Sequence, residues 1–443
     1  MFPHRLMTIF ALIMVVELGL FMESHPAAVE AATQAGPYTT ELTKLNVDPD
    51  ETDALGTTLA LSANGNVALI GAAGRLAGNR HPGAAFVFTR NGTIWSQQAK
   101  LVASDGNLED GFGFAVALSA DGNTALVGAY KQAVDGHLLQ GKAYVFTYDG
   151  SHWLQQAQFT AADGAAKDRF GETVALSGDG NTALVGAINK TVSGVHNPQG
   201  AVYVFTRSGT VWSQQALLSA DNSTDATKLR IPSFGKGLAL SANGNIALIG
   251  ASSTSVNNVD SQGAAFVFSR TGTAWTQQTQ LIARDGAAND SLGKAVALSA
   301  DGSIALLSAH TKLIGNQIAQ GAAYIFVHGD TGWSQQVRLF ASDGVKLDSF
   351  GESVALSGNG EIAIVGAPAK SVDSHKGQGA TYVYFRSGNN WTPRAEWIAS
   401  NGATNDFFGS FTALSGDGST ALVDGNTHPN RDFGQGTIYV FAP

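Results

Sequence analysis

The chain has 443 residues, of which 14 % are charged, with a formal net charge of −9 and no cysteine. The missing cysteine excludes disulfides, thiolate metal sites and a thiol nucleophile. The sparse, scattered Lys and Arg argue against nucleic acid, which needs clustered positive charge. With 44 % apolar residues the chain can bury a core, so low charge does not signal disorder.

At the N-terminus, His4 and Arg5 precede the apolar run Met7–Phe21, and Val29-Glu30-Ala31 places compact residues at the −3 and −1 positions of a cleavage site. This pattern reads as an export signal over residues 1–31. The alternative is a retained N-terminal anchor, but the run is shorter than the ~20 apolar residues of a membrane helix and contains Glu17. The expected location is secreted, or cell-surface if the segment is retained, with no membrane span in the mature chain. Export without cysteine is more typical of bacteria than of animals, whose small secreted domains are often disulfide-rich.

From Tyr38 to Pro443 one motif recurs seven times. Its marker is a glycine that usually follows Phe or Leu: Gly56, Gly113, Gly171, Gly235, Gly293, Gly351 and Gly409, at intervals of 57, 58, 64, 58, 58 and 58 residues. Such a period is the signature of a propeller or solenoid. The third copy shows the elements in order: a β-like run 170–177, a Gly178-Asp179-Gly180-Asn181 turn, a run 182–187, and a polar loop closed by Gln199-Gly200. A run 201–206, a Ser208-Gly209 turn and a run 211–218 complete it. No stretch carries a helical period, whereas short β-branched and aromatic runs bounded by Gly, Asn and Asp recur throughout.

Side-chain size distinguishes the two architectures. First strands are slender (Val-Ala-Leu-Ser at 116–119, 174–177, 296–299 and 354–357), third strands carry Tyr, Phe and Val, and fourth strands carry Trp95, Trp153, Trp212, Trp275, Trp333 or Trp391. Wedge-shaped sheets around an axis require that taper, and the Trp residues are expected to pack between blades. The last copy stops after its third strand, while Glu41–Asp48 matches the end of a fourth strand. The expectation is therefore a single all-β domain over 38–443. It is a seven-bladed β-propeller with four-stranded blades, its ring closed by the N-terminal strand in the last blade, which removes exposed edges.

Phe112-Gly113, Phe170-Gly171, Phe234-Gly235, Phe350-Gly351 and Phe408-Gly409 open repeats, and Val365-Gly366-Ala367-Pro368 closes a second strand. In these motifs the chain resembles FG-GAP repeat proteins, the β-propeller type of integrin α subunits, and especially bacterial exported forms with Trp-Ser-Gln-Gln-Ala phrases. Integrin-type repeats often hold calcium between first and second strands. Here that link is only Ala120-Asp121-Gly122-Asn123 or an equivalent such as Asn64-Gly65-Asn66, too few oxygens for six to eight ligands. The calcium sites are not carried over, and no metal or cofactor is expected. The Asp-Gly and Asn-Gly pairs read as hairpin turns tolerant of positive φ.

Short first-to-second and third-to-fourth links put all long connections on one rim, the expected binding face. Two sets of residues lie there. Asp53, Asp110, Asp168, Asp290, Asp348 and Asp406 each precede the repeat glycine by three, with Pro232 breaking the series; Asp48, Asp105, Asp163, Asp285 and Asp343 lie five residues further upstream, with Asn401 in the seventh repeat. Such a ring could collect cations, but loop capping through backbone N–H groups explains its repetition. Six histidines also fall in long loops: His81, His137, His196, His310, His375 and His428. His137, His196 and His375 share one position, four residues before a loop-closing glycine. Metal ligands must converge on one ion, so these read as solvated side chains.

The link Asp221–Ser233 carries an insertion with Lys228 and Arg230, a natural place for a specific contact. Chemistry would require groups that break the repeat symmetry. Glu172, Glu352, Lys236 and Lys294 after the repeat glycines, and Asp424 in a second strand, are the candidates, with charge balancing between blades the plainer account. No Ser-His-Asp set, zinc-protease run or phosphate loop is present. The reading is an exported, monomeric, non-catalytic binding or adhesion module for an extracellular protein or glycan. Its rim candidates are His137, His196, His375, Lys228, Arg230, Asp110, Asp168 and Asp348. The alternatives are an enzyme acting on an extracellular polymer at the channel mouth and a purely structural surface protein.

Overall fold

A computed structural model describes residues 28–31, 41–47, 55–73, 82–192, 198–220, 232–425 and 436–442. These residues hold strands and turns and no helix, so none of them forms a helix able to cross a membrane. Seven sheets follow one another along the chain, each built on antiparallel strands in sequence order, with N-terminal strands added at the outer edges of blades five and seven. Blade three shows the unit: Phe170–Leu176, Thr182–Ala187, Ala201–Ser208 and Val211–Leu218. Blade seven combines Thr412–Leu414, Ala421–Gly425 and Thr437–Phe441 with the N-terminal Glu41–Leu45. That strand pairs antiparallel with Thr437–Phe441, Glu41 opposite Phe441. The ring closes as the complementary ends require; Asp48, at the end of the expected strand, lies outside the described residues.

The core lies between blades. Seven apolar clusters form, one at each interface, including that of blades seven and one, where Leu45 and Val47 join Leu422, Val440 and Ile70. Second strands such as Thr182–Ala187 are buried along their whole length, which explains their apolar character on both faces. The Phe-Gly pair divides two tasks. Phe170 packs edge-on against Tyr203 and Phe205, while Gly171, at φ +85°, brings the backbone against the preceding blade. A Cβ on Gly171 would lie 2.2 Å from the Lys142 carbonyl oxygen, and one on Gly128 would lie 1.9 Å from that of Gly171. Glycine is required there by contact and by conformation together.

The tight-turn rim is laced into a circle. Backbone N–H groups of Ala63, Ala120, Asp179, Ala242, Ala300, Gly358 and Asp417 donate to carbonyls of Ala120, Gly178, Ala242, Ala300, Gly358, Gly416 and Ala63, at 2.8–3.1 Å. Inside each turn the last Ser of the first strand organises the loop. Ser119 Oγ donates to Asp121 (2.5 Å) and accepts from Thr124 N (2.9 Å), and the other six blades repeat the arrangement. Only the glycines of these turns take positive φ, Gly122 at +77° and Gly65 at +64°. The turns therefore do not place Asp or Asn in left-handed backbone, as the hairpin reading implied. Asp and Asn instead accept hydrogen bonds, a local competition these side chains perform well.

The Trp-x-Gln-Gln phrase is an inter-blade latch. Trp153, Trp212, Trp275 and Trp391 donate from Nε1 to Gln98, Gln156, Gln215 and Gln336 of the preceding blade at 2.9–3.1 Å. The other glutamine reaches the preceding inter-blade link, as Gln155 does to Ser104 N at 3.0 Å. Among the described residues, blade five alone has a fifth strand: Ala28–Ala31, inside the segment read as a leader, runs parallel to Gly332–Ala341 on its outer edge.

Candidate functional site on the long-loop face

Each first strand starts at the rim opposite the tight turns, so the residues after the repeat glycines surround the channel mouth on the long-loop face. The second-to-third loops are more ordered than a polar stretch implies. Val134 and His137 pair around a two-residue turn, as do Val256 with Val259, Ile314 with Gln317, and Val372 with His375. His137 and His375 thus occupy a structural position that Val259 and Gln317 fill elsewhere, on blades two and six, which are not neighbours. His137 Nδ1 lies 3.0 Å from Gln140 Oε1 of its own loop. His196, with His81 and His428, is outside the described residues, as are Asp53, Lys228 and Arg230.

The first acidic set caps the inter-blade links. Asp110, Asp168, Asp290, Asp348 and Asp406 accept the backbone N–H three residues earlier at 2.6–2.8 Å. The need for a cap is visible in the backbone: the residues flanking all five are left-handed, among them Lys167 (φ +72°) and Arg169 (+61°) around Asp168, and Leu347 (+72°) and Ser349 (+59°) around Asp348. Non-glycine residues avoid that region, so hydrogen bonds must hold the segment there. Burial raises the pKa of the Asp110 and Asp348 carboxyls despite those bonds.

The second acidic set accepts a tyrosine from the third strand: Asp105 from Tyr144 (2.6 Å), Asp163 from Tyr203 (2.7 Å), Asp285 from Tyr324 (2.8 Å), Asp343 from Tyr382 (3.0 Å) and Asn401 from Tyr439 (2.9 Å). Between the two sets sits a buried lysine. Lys190 meets Asp168 at 3.1 Å, Lys312 meets Asp290 at 2.7 Å and Lys370 meets Asp343 at 2.5 Å. Burial raises the Asp163 carboxyl, but Tyr203 and Lys190 outweigh it and hold its pKa below the usual range. Blade four has lost both partners: Pro232 replaces the capping Asp, and Thr254 stands where the lysine would be, its hydroxyl buried without a hydrogen-bond partner. Blade two keeps Asp110 as a cap with Gln132 in the lysine's place, where it accepts from Tyr144 and donates to the Asp105 carbonyl, so the cap does not require the cation.

At the axis, a pit of about 330 Å³ opens at the channel mouth, lined by residues of the first strands of all seven blades. The residues after the repeat glycines are Thr57, Phe114, Glu172, Lys236, Lys294, Glu352 and Ser410. Glu172 of blade three pairs with Lys236 of blade four at 3.2 Å and with Arg169 at 2.8 Å. Lys294 of blade five pairs with Glu352 of blade six. The charges expected to balance between blades do so. Arg169 also lies over Tyr130, 4.8 Å from its ring, and Tyr130 packs at a tilt of 54° against Phe114, their centroids 4.5 Å apart. His310 departs from the solvated expectation: its side chain is only 17 % exposed, its Nε2 lies 3.9 Å from Glu352, and its Nδ1 has no partner. Desolvation, reinforced by Lys294 and opposed by Glu352, pushes its pKa down to about 4. Asp424 is fully buried, and its carboxylate accepts Phe411 N at 2.7 Å inside its own blade.

Around the pit, exposed apolar side chains gather on two sectors of the rim: Leu138 and Leu139 beside blade three, and Leu313, Ile318, Val345 and Leu347 at blades five and six. Ile318 and Leu347 are brought together by a backbone hydrogen bond of 2.9 Å.

Closed sheets of four antiparallel strands around an axis define the class: a seven-bladed β-propeller. The FG-GAP repeat family matches residues 95–146, 153–205, 275–326 and 333–384, so FG-GAP repeats stand in four places of this seven-bladed propeller, consistent with the integrin-α-like type. Each matched stretch runs from a fourth-strand region to the third strand of the next blade, one strand out of phase with the blades, as closure by an N-terminal strand demands. A chain in a crystal structure of the mitotic checkpoint complex is similar at 13 % identity and a TM-score of 0.52, covering 94 % of this chain and 99 % of that one; it shows the fold alone. No curated protein matches the sequence.

Proposed function

We propose that this propeller is an exported, non-catalytic binding or adhesion module that recognises an extracellular protein or glycan through its long-loop face. The observation that carries the reading is the asymmetry of the two rims. The tight turns satisfy themselves by hydrogen bonds, whereas the opposite rim displays Leu138, at 70 % exposure, and Ile318, at 57 %, on loops held by the buried side chains of Gln132 and Lys312. Apolar side chains on a rigid, loop-built surface are the usual material of recognition sites. The non-catalytic part is supported by Glu172 with Lys236 and Glu352 with Lys294, which neutralise one another across blade interfaces. A screen of surface proteins and glycans, run beside a hydrolase panel, tests it. Saturable binding lost in Leu138→Ser or Ile318→Ser supports the reading, and turnover abolished by Glu172→Gln or Glu352→Gln overturns it.

A further inference from the structure

We propose that the pit at the channel mouth is a subsite for one acidic sugar unit, a uronate-type residue carried by a glycan. The inference rests on the binding-module reading and specifies its ligand chemistry.

The pit has a built wall on every side, with about 330 Å³ of space, at the small end of ligand pockets. Its charge is asymmetric. Glu172 is buried at 3 % side-chain exposure beneath Arg169 and Lys236, which is 34 % exposed, while Lys294 and its partner Glu352 are exposed alike at 28 % and 27 %. The two lysines stand on adjacent blades and lean to opposite sides, Lys236 toward blade three and Lys294 toward blade six. Among the described residues no ion pair bridges blades four and five at this level, and two partly exposed ammonium groups flank the gap. The lining itself holds two lysines and two glutamates; Arg169, paired with Glu172 just outside the lining, gives the surrounding cluster one cation in excess, which favours one added anion. A carboxylate seated between the lysines would gain charge-assisted hydrogen bonds.

The opposite side of the ring is uncharged: Thr57, Phe114, Ser410 and Phe411. Sugars present an apolar face that rests on aromatic rings and hydroxyls that meet side-chain oxygens. A carboxylate on one side of a polar ring with a stacking face fits this arrangement better than a flexible acidic peptide side chain does.

The test is isothermal titration of the whole chain with free glucuronate and a short oligouronide, beside glucose and N-acetylglutamate, with circular dichroism as a folding control. Expected are saturable uronate binding that weakens with salt, no binding of glucose, and weaker or absent binding of N-acetylglutamate. Lys294→Met and Lys236→Met should each weaken uronate binding by about tenfold, near the value of one charged contact. Phe114→Leu should weaken it without changing the salt dependence. Failure of both uronates to bind, equal or tighter binding of N-acetylglutamate, or unchanged affinity in folded lysine variants would overturn the proposal. Binding to another partner that survives the lysine variants but not Ile318→Ser would remove the pit subsite and leave the binding-module reading standing.

Discussion

The two rims of the propeller both use aspartate and hydrogen-bonded loops, yet they treat aspartate differently. On the tight-turn rim, Asp121, Asp179, Asp301 and Asp417 share their position with Asn64, Asn243 and Asn359. A neutral oxygen serves as well there, because its partners are a Ser hydroxyl and a backbone N–H. On the long-loop rim, every described capping position other than Pro232 keeps Asp; in blades three and five a buried lysine meets it, while blade two sets Gln132 in the lysine's place. Where the partner is a buried cation, the charge cannot be dropped alone, since an unpaired buried ion costs far more than a missing hydrogen bond. The same residue type is interchangeable in the tight turns and kept where it meets a buried lysine.

The comparison can be broken at several levels. Deleting Glu41–Leu45 should have the largest effect, because it opens the circle that both rims depend on. It removes Leu45 from an apolar cluster and leaves Thr437–Phe441 as an unpaired edge. The loss should be about 5 kcal/mol or more, and a deletion variant that melts with the parent's midpoint would refute closure. Gly141→Ala comes next. Gly141 has φ +90°, and an added Cβ would lie 2.0 Å from the Phe170 carbonyl oxygen, so a cost of about 3 kcal/mol is expected from strain and overpacking, read by chemical denaturation.

Asp168→Ala should cost about 3 kcal/mol, since it leaves Lys190 buried with one carboxylate partner fewer, whereas Asp121→Asn should stay within about 0.5 kcal/mol. The double variant Asp168→Ala with Lys190→Thr imitates blade four. It should recover part of the loss, a coupling of about 1–3 kcal/mol in a double-mutant cycle. Strict additivity of the two changes would contradict the paired reading.

The smallest effect near neutrality is a pH slope. The pKa of His310 in the fold is about 4, below its ordinary value of 6.5, so the unfolded chain binds its proton first. Stability from this group is complete above pH 6.5 and declines as pH falls toward 4. The loss is at most about 3 kcal/mol, and His310→Gln should flatten that part of the profile. A slope unchanged in His310→Gln would place the titration elsewhere.

The fold was legible because period, taper and complementary ends all reported the same geometry. The capping role of Asp168 was legible too, since a position repeated in nearly every blade points to local chemistry. Lys190 was not: its partner lies 22 residues away, with two strands between them, and nothing in the loop marks it. A signal existed in Lys190, Lys312 and Lys370, each three residues past the alanine ending a second strand. The enclosure of His310 was hidden for another reason. It follows directly after Ala309, so it belongs to the channel mouth rather than to the loop that its polar neighbours suggest. Lys236 and Glu172 could be suspected of balancing charge, but only adjacent blades reveal which lysine meets which glutamate.

The pairing of Glu41 with Phe441 also decides how the domain bears tension. Force drawn outward from those two positions acts on neighbouring ends of an antiparallel pair, so its hydrogen bonds would break in succession, like a zipper, instead of sharing the load. Resistance to such pulling is set by an unfolding rate, and peeling keeps that barrier low. The same ring gripped across its rims spreads the load over seven interfaces at once. Pulling those two positions apart therefore loads the ring in a weaker direction than a force applied across its rims.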